Sequence, residues 1–216
     1  MSCISFPTPK QIKIRTLASF AIMFVVVIAD QLIKYAVKTS FSLYESVHVT
    51  PWFHLFFTEN RGMAFGMQFV GTFALAIFRV MAIVFFMVVL WRCIRRRFPM
   101  GLIVCLSMII AGALGNIIDN MFNGLVYTES LPYDAPAKLV AFGHGYGTFL
   151  SGKVIDMFYF PLFVWPDWMP LVGDDVFFGA VFNFADASIS CGAVALAIFY
   201  FKYLNKGIFR NGKKVL

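Results

Sequence analysis

The sequence predicts an all-α membrane protein: four transmembrane helices with a small extracytoplasmic β-sheet platform. Three observations carry that prediction. Hydrophobic residues make up 60% and charged residues only 13% of the chain, whereas a soluble domain carries about a quarter charged residues. Four apolar runs, at about 17–37, 70–91, 99–118 and 183–204, each approach the ~20 residues that a helix needs to cross the hydrocarbon. Of the 18 Lys and Arg residues, twelve fall in three blocks: Lys10, Lys13 and Arg15; Arg92, Arg95, Arg96 and Arg97; and Lys202, Lys206, Arg210, Lys213 and Lys214. The positive-inside rule then places both termini and the 92–97 loop in the cytoplasm. The net charge of +7 is thereby a topology signal, and no nucleic-acid partner is implied. The chain reads as a single integral-membrane domain, 1–216, and as a monomer.

The elements follow in order. Residues 1–16 are basic, and Leu17–Ala29 carries no charge. Taken alone, that stretch resembles the core of a cleavable signal peptide. Uncleaved, it continues through Asp30-Gln-Leu-Ile-Lys34 to about Val37 as the first span. Asp30 and Lys34 lie four apart on one helix face, the spacing of a self-satisfying ion pair at the interface. Ser46–Phe57 alternates in the manner of short surface strands, and Glu59-Asn60-Arg61-Gly62 reads as a turn. The second span carries one charge, Arg79, before its Arg block. In the third, Ala111, Gly112, Ala113 and Gly115 form a small-residue face that lets another helix approach, and Asn116 and Asp119 follow. The insertion at about 122–152 is polar and rich in Gly, with one short amphipathic stretch around Ala135–Phe142, and reads as a mobile flap. Lys153–Trp165 and the loop to Asp175 read as strand and loop lying on the membrane. The last span opens with Phe182-Asn-Phe-Ala-Asp186.

The chemistry is narrowed by exclusion and by convergence. Cys3, Cys93, Cys105 and Cys191 show no paired spacing, so neither a disulfide nor a metal is assigned. His48, His54 and His144 lack the HExxH arrangement of a zinc hydrolase. The predicted topology carries Asp30, Asn60, Asn116, Asp119, Asp156, Asn183 and Asp186 to the same boundary. A carboxylate at the mouth of a membrane helix is costly and marks a functional site by default. Asp156 and Asp186 are the catalytic candidates. Two carboxylates held close cannot both ionise, so one takes a proton from water while the other donates to a peptide carbonyl. This chemistry needs no metal and no cofactor. Two other readings stand beside it. Asp119, Asp156 and Asp186 would merely cap helices, or the carboxylates would line a proton relay in a channel or carrier. Four spans without an internal repeat make a poor transporter scaffold.

These residues carry a resemblance. Asp30-Gln-Leu-Ile-Lys34, Asn60-Arg-Gly-Met-Ala-Phe65, Gly112-Ala-Leu-Gly-Asn116-Ile-Ile-Asp119, Val154-Ile-Asp156 and Phe182-Asn-Phe-Ala-Asp186 occur in the order found in the lipoprotein signal peptidases (signal peptidase II), membrane aspartic peptidases. The resemblance runs nearly end to end. It implies that Asp156 and Asp186 are the catalytic pair and that Asn60, Asn116, Asn183 and Asp119 bind and position substrate, with Asp30 and Lys34 in support. It also implies a bacterial plasma-membrane location and sensitivity to globomycin. The implied substrate is a diacylglyceryl-modified prolipoprotein, cut N-terminal to its lipidated Cys, with membrane lipid as the surrounding partner. Three departures stand out: Asn120 where the family has Arg, for which Arg61 is the candidate substitute; Met157 where Phe is usual; and the long segment between Asp119 and Asp156.

Overall fold

The computed structural model describes residues 7–60, 72–96, 98–170, 172–201 and 203. Helix α1 spans Pro9–Ser40, α2 Thr72–Arg95, α3 Met100–Val126 and α4 Phe184–Ala195, the last continuing as a π-helical turn over Leu196–Tyr200. Three of them, α1, α2 and α3, are long and apolar enough to cross a membrane, and the α4 segment is a shorter apolar helix. Strands β1 (Ser46–Thr50), β2 (Phe53–Asn60) and β3 (Val154–Tyr159) form an antiparallel sheet in that order. Strands β4 (Phe163–Val164) and β5 (Val176–Phe177) form a separate two-stranded ribbon.

Helices α1 and α3 both outrun the apolar runs that announce them. Thr8 and Gln11 close a reciprocal box at the start of α1: the Thr8 amide donates to Gln11 Oε1 at 3.1 Å, and the Gln11 amide to Thr8 Oγ1 at 3.4 Å. Pro9 occupies the first helical position, where its missing N–H costs nothing. At 32 residues, α1 is longer than a bilayer core requires. At its other end α3 continues past residue 118 through Asp119, Asn120 and Asn123, because intrahelical hydrogen bonds do not depend on side-chain polarity and each of these groups finds a partner. The predicted turn at Glu59-Asn60 is corrected: both residues belong to β2, opposite Ile155 and Val154. Arg61 and the rest of that motif lie outside the described residues.

The chain divides into two compact units, one of residues 1–29, 78–115 and 185–216, the other of 30–77 and 116–184. The first is a helical core in which Met23, Val89, Leu90, Leu102, Ile103, Leu106 and Ile110 are buried together. Here the small-residue face of α3 does what its composition predicts for Gly112. A Cβ on Gly112 would stand 2.3 Å from the Ala185 carbonyl oxygen, so only glycine lets α4 pack this close.

The second unit holds the end of α1, the sheet, the end of α3 and the insertion. Val37, Phe57, Ile155 and Met157 form its apolar core. Met157 is fully buried there, so the departure from Phe at this position is an apolar swap inside a packed cluster. The stretch 135–142 is not helical. It runs back along the end of α3, with Leu139 bridged to Tyr127 and the Val140 amide donating to the Val126 carbonyl at 2.9 Å. Gly145, Gly147 and Gly152 then donate to the carbonyls of Leu125, Gly124 and Asn120. A Cβ on Gly145 would meet Gly124 O at 2.2 Å, and one on Gly152 would meet Asp119 O at 2.1 Å. These three glycines lay the chain flush on a helix.

Candidate active site

The polar side chains of the second unit are arranged by two helical stripes. On α1, Asp30, Lys34 and Lys38 recur every fourth residue and so share a face; all three are buried. On α3, Asn116, Asp119, Asn120 and Asn123 form the i, i+3, i+4, i+7 stripe, also buried. Lys34 Nζ lies between the stripes and spends its three donors on Asp30 Oδ2 at 2.8 Å, Asp119 Oδ2 at 2.7 Å and Asn116 Oδ1 at 2.9 Å. The predicted Asp30–Lys34 pair is therefore present, but as half of a cluster. Gln31 ties the two carboxylates further, its Nε2 donating to Asp30 Oδ2 at 3.2 Å and Asp119 Oδ1 at 3.0 Å.

The α3 stripe also grips the chain entering β3. Asn120 Nδ2 donates to Gly152 O at 2.8 Å, Asn123 Nδ2 to Lys153 O at 3.0 Å, and the Ile155 amide approaches Asp119 Oδ2 at 3.4 Å. Asn120 thus serves as a clamp on the backbone carbonyl that precedes Lys153. With β3 registered, Asp156 lies buried, opposite Thr58 of β2. Phe182 adds to the far edge of β3, exchanging backbone hydrogen bonds with Phe158 at 2.8 and 3.0 Å. That bridge delivers the next residue, Asn183, whose Nδ2 donates to Asp156 Oδ1 at 2.6 Å and to Asn116 Oδ1 at 3.1 Å. A continuous chain thus runs Asp30/Asp119–Lys34–Asn116–Asn183–Asp156.

None of the three carboxylates occupies the N-cap position of a helix. Asp119 lies inside α3, Asp156 is on a strand, and Asp186 falls within the first turn of α4, after Asn183 has taken the position that precedes the helix. Asp186 is half-buried. Asn60, the last residue of β2, pairs with Val154 two residues before Asp156.

A second buried knot has no counterpart in the sequence reading. Lys38 is fully buried, hydrogen-bonded to Glu59 Oε1 and, at 2.9 Å, to Ser130 Oγ, with the rings of Tyr127 and Tyr146 at 5.2 and 5.3 Å. Lys153 Nζ stands 3.0 Å from Glu59 Oε2, an ion-pair approach without hydrogen-bond alignment, and 3.2 Å from Glu129 Oε1. The Lys153 amide donates to the Tyr146 hydroxyl at 2.8 Å. The fourfold spacing of Asp30, Lys34 and Lys38 is the signal that could have found Lys38. The partners Glu59 and Lys153, remote in sequence, offer none. Burial pushes the Glu59 carboxyl up, but the charges of Lys38 and Lys153 outweigh it and hold the group below its ordinary 4.5. A lowered folded-state value means that this contribution to stability is complete above the unfolded value and is lost as pH falls through the folded one. Glu59→Gln should therefore be less stable at neutral pH and should lose less further stability below pH 4.5 than the parent, as followed by near-ultraviolet circular dichroism in detergent.

Comparison with known proteins decides what this arrangement belongs to. Residues 22–202 match the sequence model of the family described as signal peptidase (SPase) II. This chain belongs to the signal peptidase II family. A lipoprotein signal peptidase of Porphyromonas gingivalis is 41% identical over 201 residues, covering 91% of this chain and 87% of the relative. One from Alteromonas mediterranea is 31% identical, covering 86% and 81%. A solved bacterial membrane enzyme shares the fold with a TM-score of 0.55 at 24% identity, over 92% of this chain and 94% of the other. Membership makes the chain a peptidase, and its apolar helices make it a multi-pass membrane protein. Within this signal peptidase II chain, the buried amide and ion network is the part that the short motifs of the sequence spell out: Asp30, Lys34, Asn116, Asp119, Asp156 and Asn183 all belong to it.

Proposed function

We propose that this protein removes the signal peptide from diacylglyceryl-modified prolipoproteins, cutting N-terminal to the lipidated Cys by aspartate-dyad activation of water. The single observation that supports the dyad most is the delivery of Asp156: a buried carboxylate on a registered strand, held by an Asn183 that lies three residues before Asp186. Family membership supports the substrate class. In the proposed cycle one carboxylate takes a proton from water, and the oxygen of that water bonds to the peptide carbonyl carbon. The other carboxyl gives its proton to the carbonyl oxygen. Collapse of the tetrahedral intermediate breaks the C–N bond, and the amine of the lipidated Cys leaves with a proton from the dyad. Asn183 holds the Asp156 carboxyl through its Oδ1 and so fixes the orientation in which it meets the reacting water. In this reading the chain crosses four times, with both termini in the cytoplasm and the site at the opposite face, where an apolar signal helix meets water.

Cleavage of a purified, lipidated precursor by the purified protein is the test. Cleavage should be unchanged by EDTA and abolished by globomycin, as the resemblance implies. Loss of activity on chelation with recovery on adding zinc would overturn the dyad, and failure to cleave any lipidated precursor would overturn the substrate. The topology is separately checkable. Reporter fusions after Arg97 and at the C-terminus should report cytoplasm, and one near Ala137 the opposite side; an external C-terminus would put the site on the wrong face.

A further inference from the structure

The insertion does more than cover the end of α3. Its hydrogen bonds fix a direction: the amides of Val140, Gly143, Gly147 and Gly152 bond in turn to the carbonyls of Val126, Leu125, Gly124 and Asn120. From residue 143 to residue 152 the chain therefore descends alongside α3 by five helical residues, about 8 Å at ~1.5 Å per residue. It ends beside Asp119, within a helix that is long and apolar enough to cross a membrane.

Midway in this descent is the turn Thr148-Phe149-Leu150-Ser151, whose apolar tip is unusual. Turn tips ordinarily carry Gly, Asn, Asp or Ser, and here Leu150 takes a left-handed φ of 67° that favours glycine. The two polar residues serve the turn itself. The Ser151 amide donates to Thr148 O, the Thr148 amide donates to Ser151 Oγ at 2.7 Å, and that hydroxyl donates to Thr148 O at 2.7 Å. These bonds close the turn on itself and leave its tip to the apolar side chains of Phe149 and Leu150. Phe149 remains 54% exposed, and its ring packs edge-on against Phe122, 6.3 Å between centroids. Phe122 is itself exposed on α3, the membrane-span candidate. The two rings form one apolar surface that continues from the helix onto the insertion.

We propose that the Thr148–Ser151 turn is a membrane-contacting element, its Phe149–Leu150 side chains inserted at the boundary between headgroups and acyl chains in the leaflet at the C-terminal end of α3. The same segment runs directly into Gly152 and Lys153, which Asn120 and Asn123 hold, and so into the strand that carries Asp156. Lipid contact and strand registration are thus borne by consecutive residues. This inference rests on α3 crossing the bilayer and is independent of the peptidase reading.

The test is to place tryptophan at the tip of the full-length protein in phosphatidylcholine/phosphatidylglycerol vesicles. Emission added by Phe149→Trp, taken as a difference from the parent with its four native tryptophans, should be blue-shifted. It should be quenched by phospholipids brominated on the acyl chain and spared by aqueous iodide. Tyr133→Trp, at a fully exposed position of the same insertion, should show the opposite pattern. Leu150→Trp repeats the measurement at the neighbouring position should Phe149→Trp fail to reconstitute. Red-shifted emission that iodide quenches and brominated lipid does not, at whichever tip position is read, would overturn the proposal and leave a water-exposed loop. Cleavage of the lipidated precursor by the same variants is scored separately, so an inactive protein with a lipid-quenched tip would count against the proposed function and not against this contact.

Discussion

Asp156→Asn and Asp186→Asn should each lower turnover of a lipidated precursor by at least ~10²-fold, the lower end of what a positioned acid or base contributes. The substitution keeps size and hydrogen-bonding capacity and removes only the proton-transferring carboxyl. For Asp156 the structure makes the fold cost small. Asn183 Nδ2 donates to Asp156 Oδ1 at 2.6 Å, and an asparagine placed there presents its amide oxygen to the same donor. For Asp186, in the first turn of α4, loss of the charge removes a favourable helix-dipole interaction of about 0.3–1 kcal/mol, too little to unfold the protein. If the pair acts as a unit, the double variant should be little worse than either single. On the proposed reading binding of the precursor should persist, because the substitution alters the proton-transferring group and not the apolar surface that would hold lipid and signal helix. The measurement is single-turnover cleavage beside a binding assay, on protein whose circular dichroism matches the parent. Near-normal cleavage by either folded single variant would end the dyad.

The second large effect concerns stability. Lys34→Met should cost ~3–5 kcal/mol, because it leaves Asp30 and Asp119 as uncompensated buried charges where one ammonium now serves both. Asp119→Asn should also destabilise measurably, since it withdraws one of the two carboxylates that pair with a fully buried lysine. The discriminating variant removes all three charges at once: Asp30→Asn, Lys34→Met and Asp119→Asn together. Charge-free replacements of buried ion clusters are often neutral or stabilising, so thermal stability in detergent should largely return. Cleavage should not. Lys34 Nζ and Asn183 Nδ2 share the Asn116 oxygen, and through it the lysine helps to hold the amide that holds Asp156. Recovery of both stability and full turnover would reduce Lys34 to a purely structural group.

Much of this protein is legible in its amino-acid sequence, and the reason is physical. Membrane-spanning segments are selected by length and hydropathy, both of which are local properties. The apolar runs accordingly locate α1, α2, α3 and the shorter α4 segment, with errors confined to their ends. The alternation in Ser46–Phe57 locates β1 and most of β2. Asp30 and Lys34 pair as their spacing predicts, because i and i+4 on a helix are neighbours whatever else the chain does. The small residue Gly112 announces a close helix approach because a missing Cβ is itself the cause.

Only the tertiary structure decides the partners that come from far along the chain. Asp119 joins Asp30 on one lysine, and Glu59 binds both Lys38 and Lys153, because helix faces and strand register bring them together. No spacing rule connects such residues. Outside the basic blocks, Lys34, Lys38 and Lys153 prove to be buried and paired. The close packing of part of the insertion has the same origin. Glycine content is ambiguous between mobility and close packing, and only the α3 backbone beneath Gly145 and Gly152 decides for packing. Which residues are candidates for the chemistry is a matter of sequence alone, since burying a carboxylate or amide in an apolar chain needs a reason. Their order in space, from Lys34 through Asn116 and Asn183 to Asp156, comes from the register of β3 on the α3 stripe.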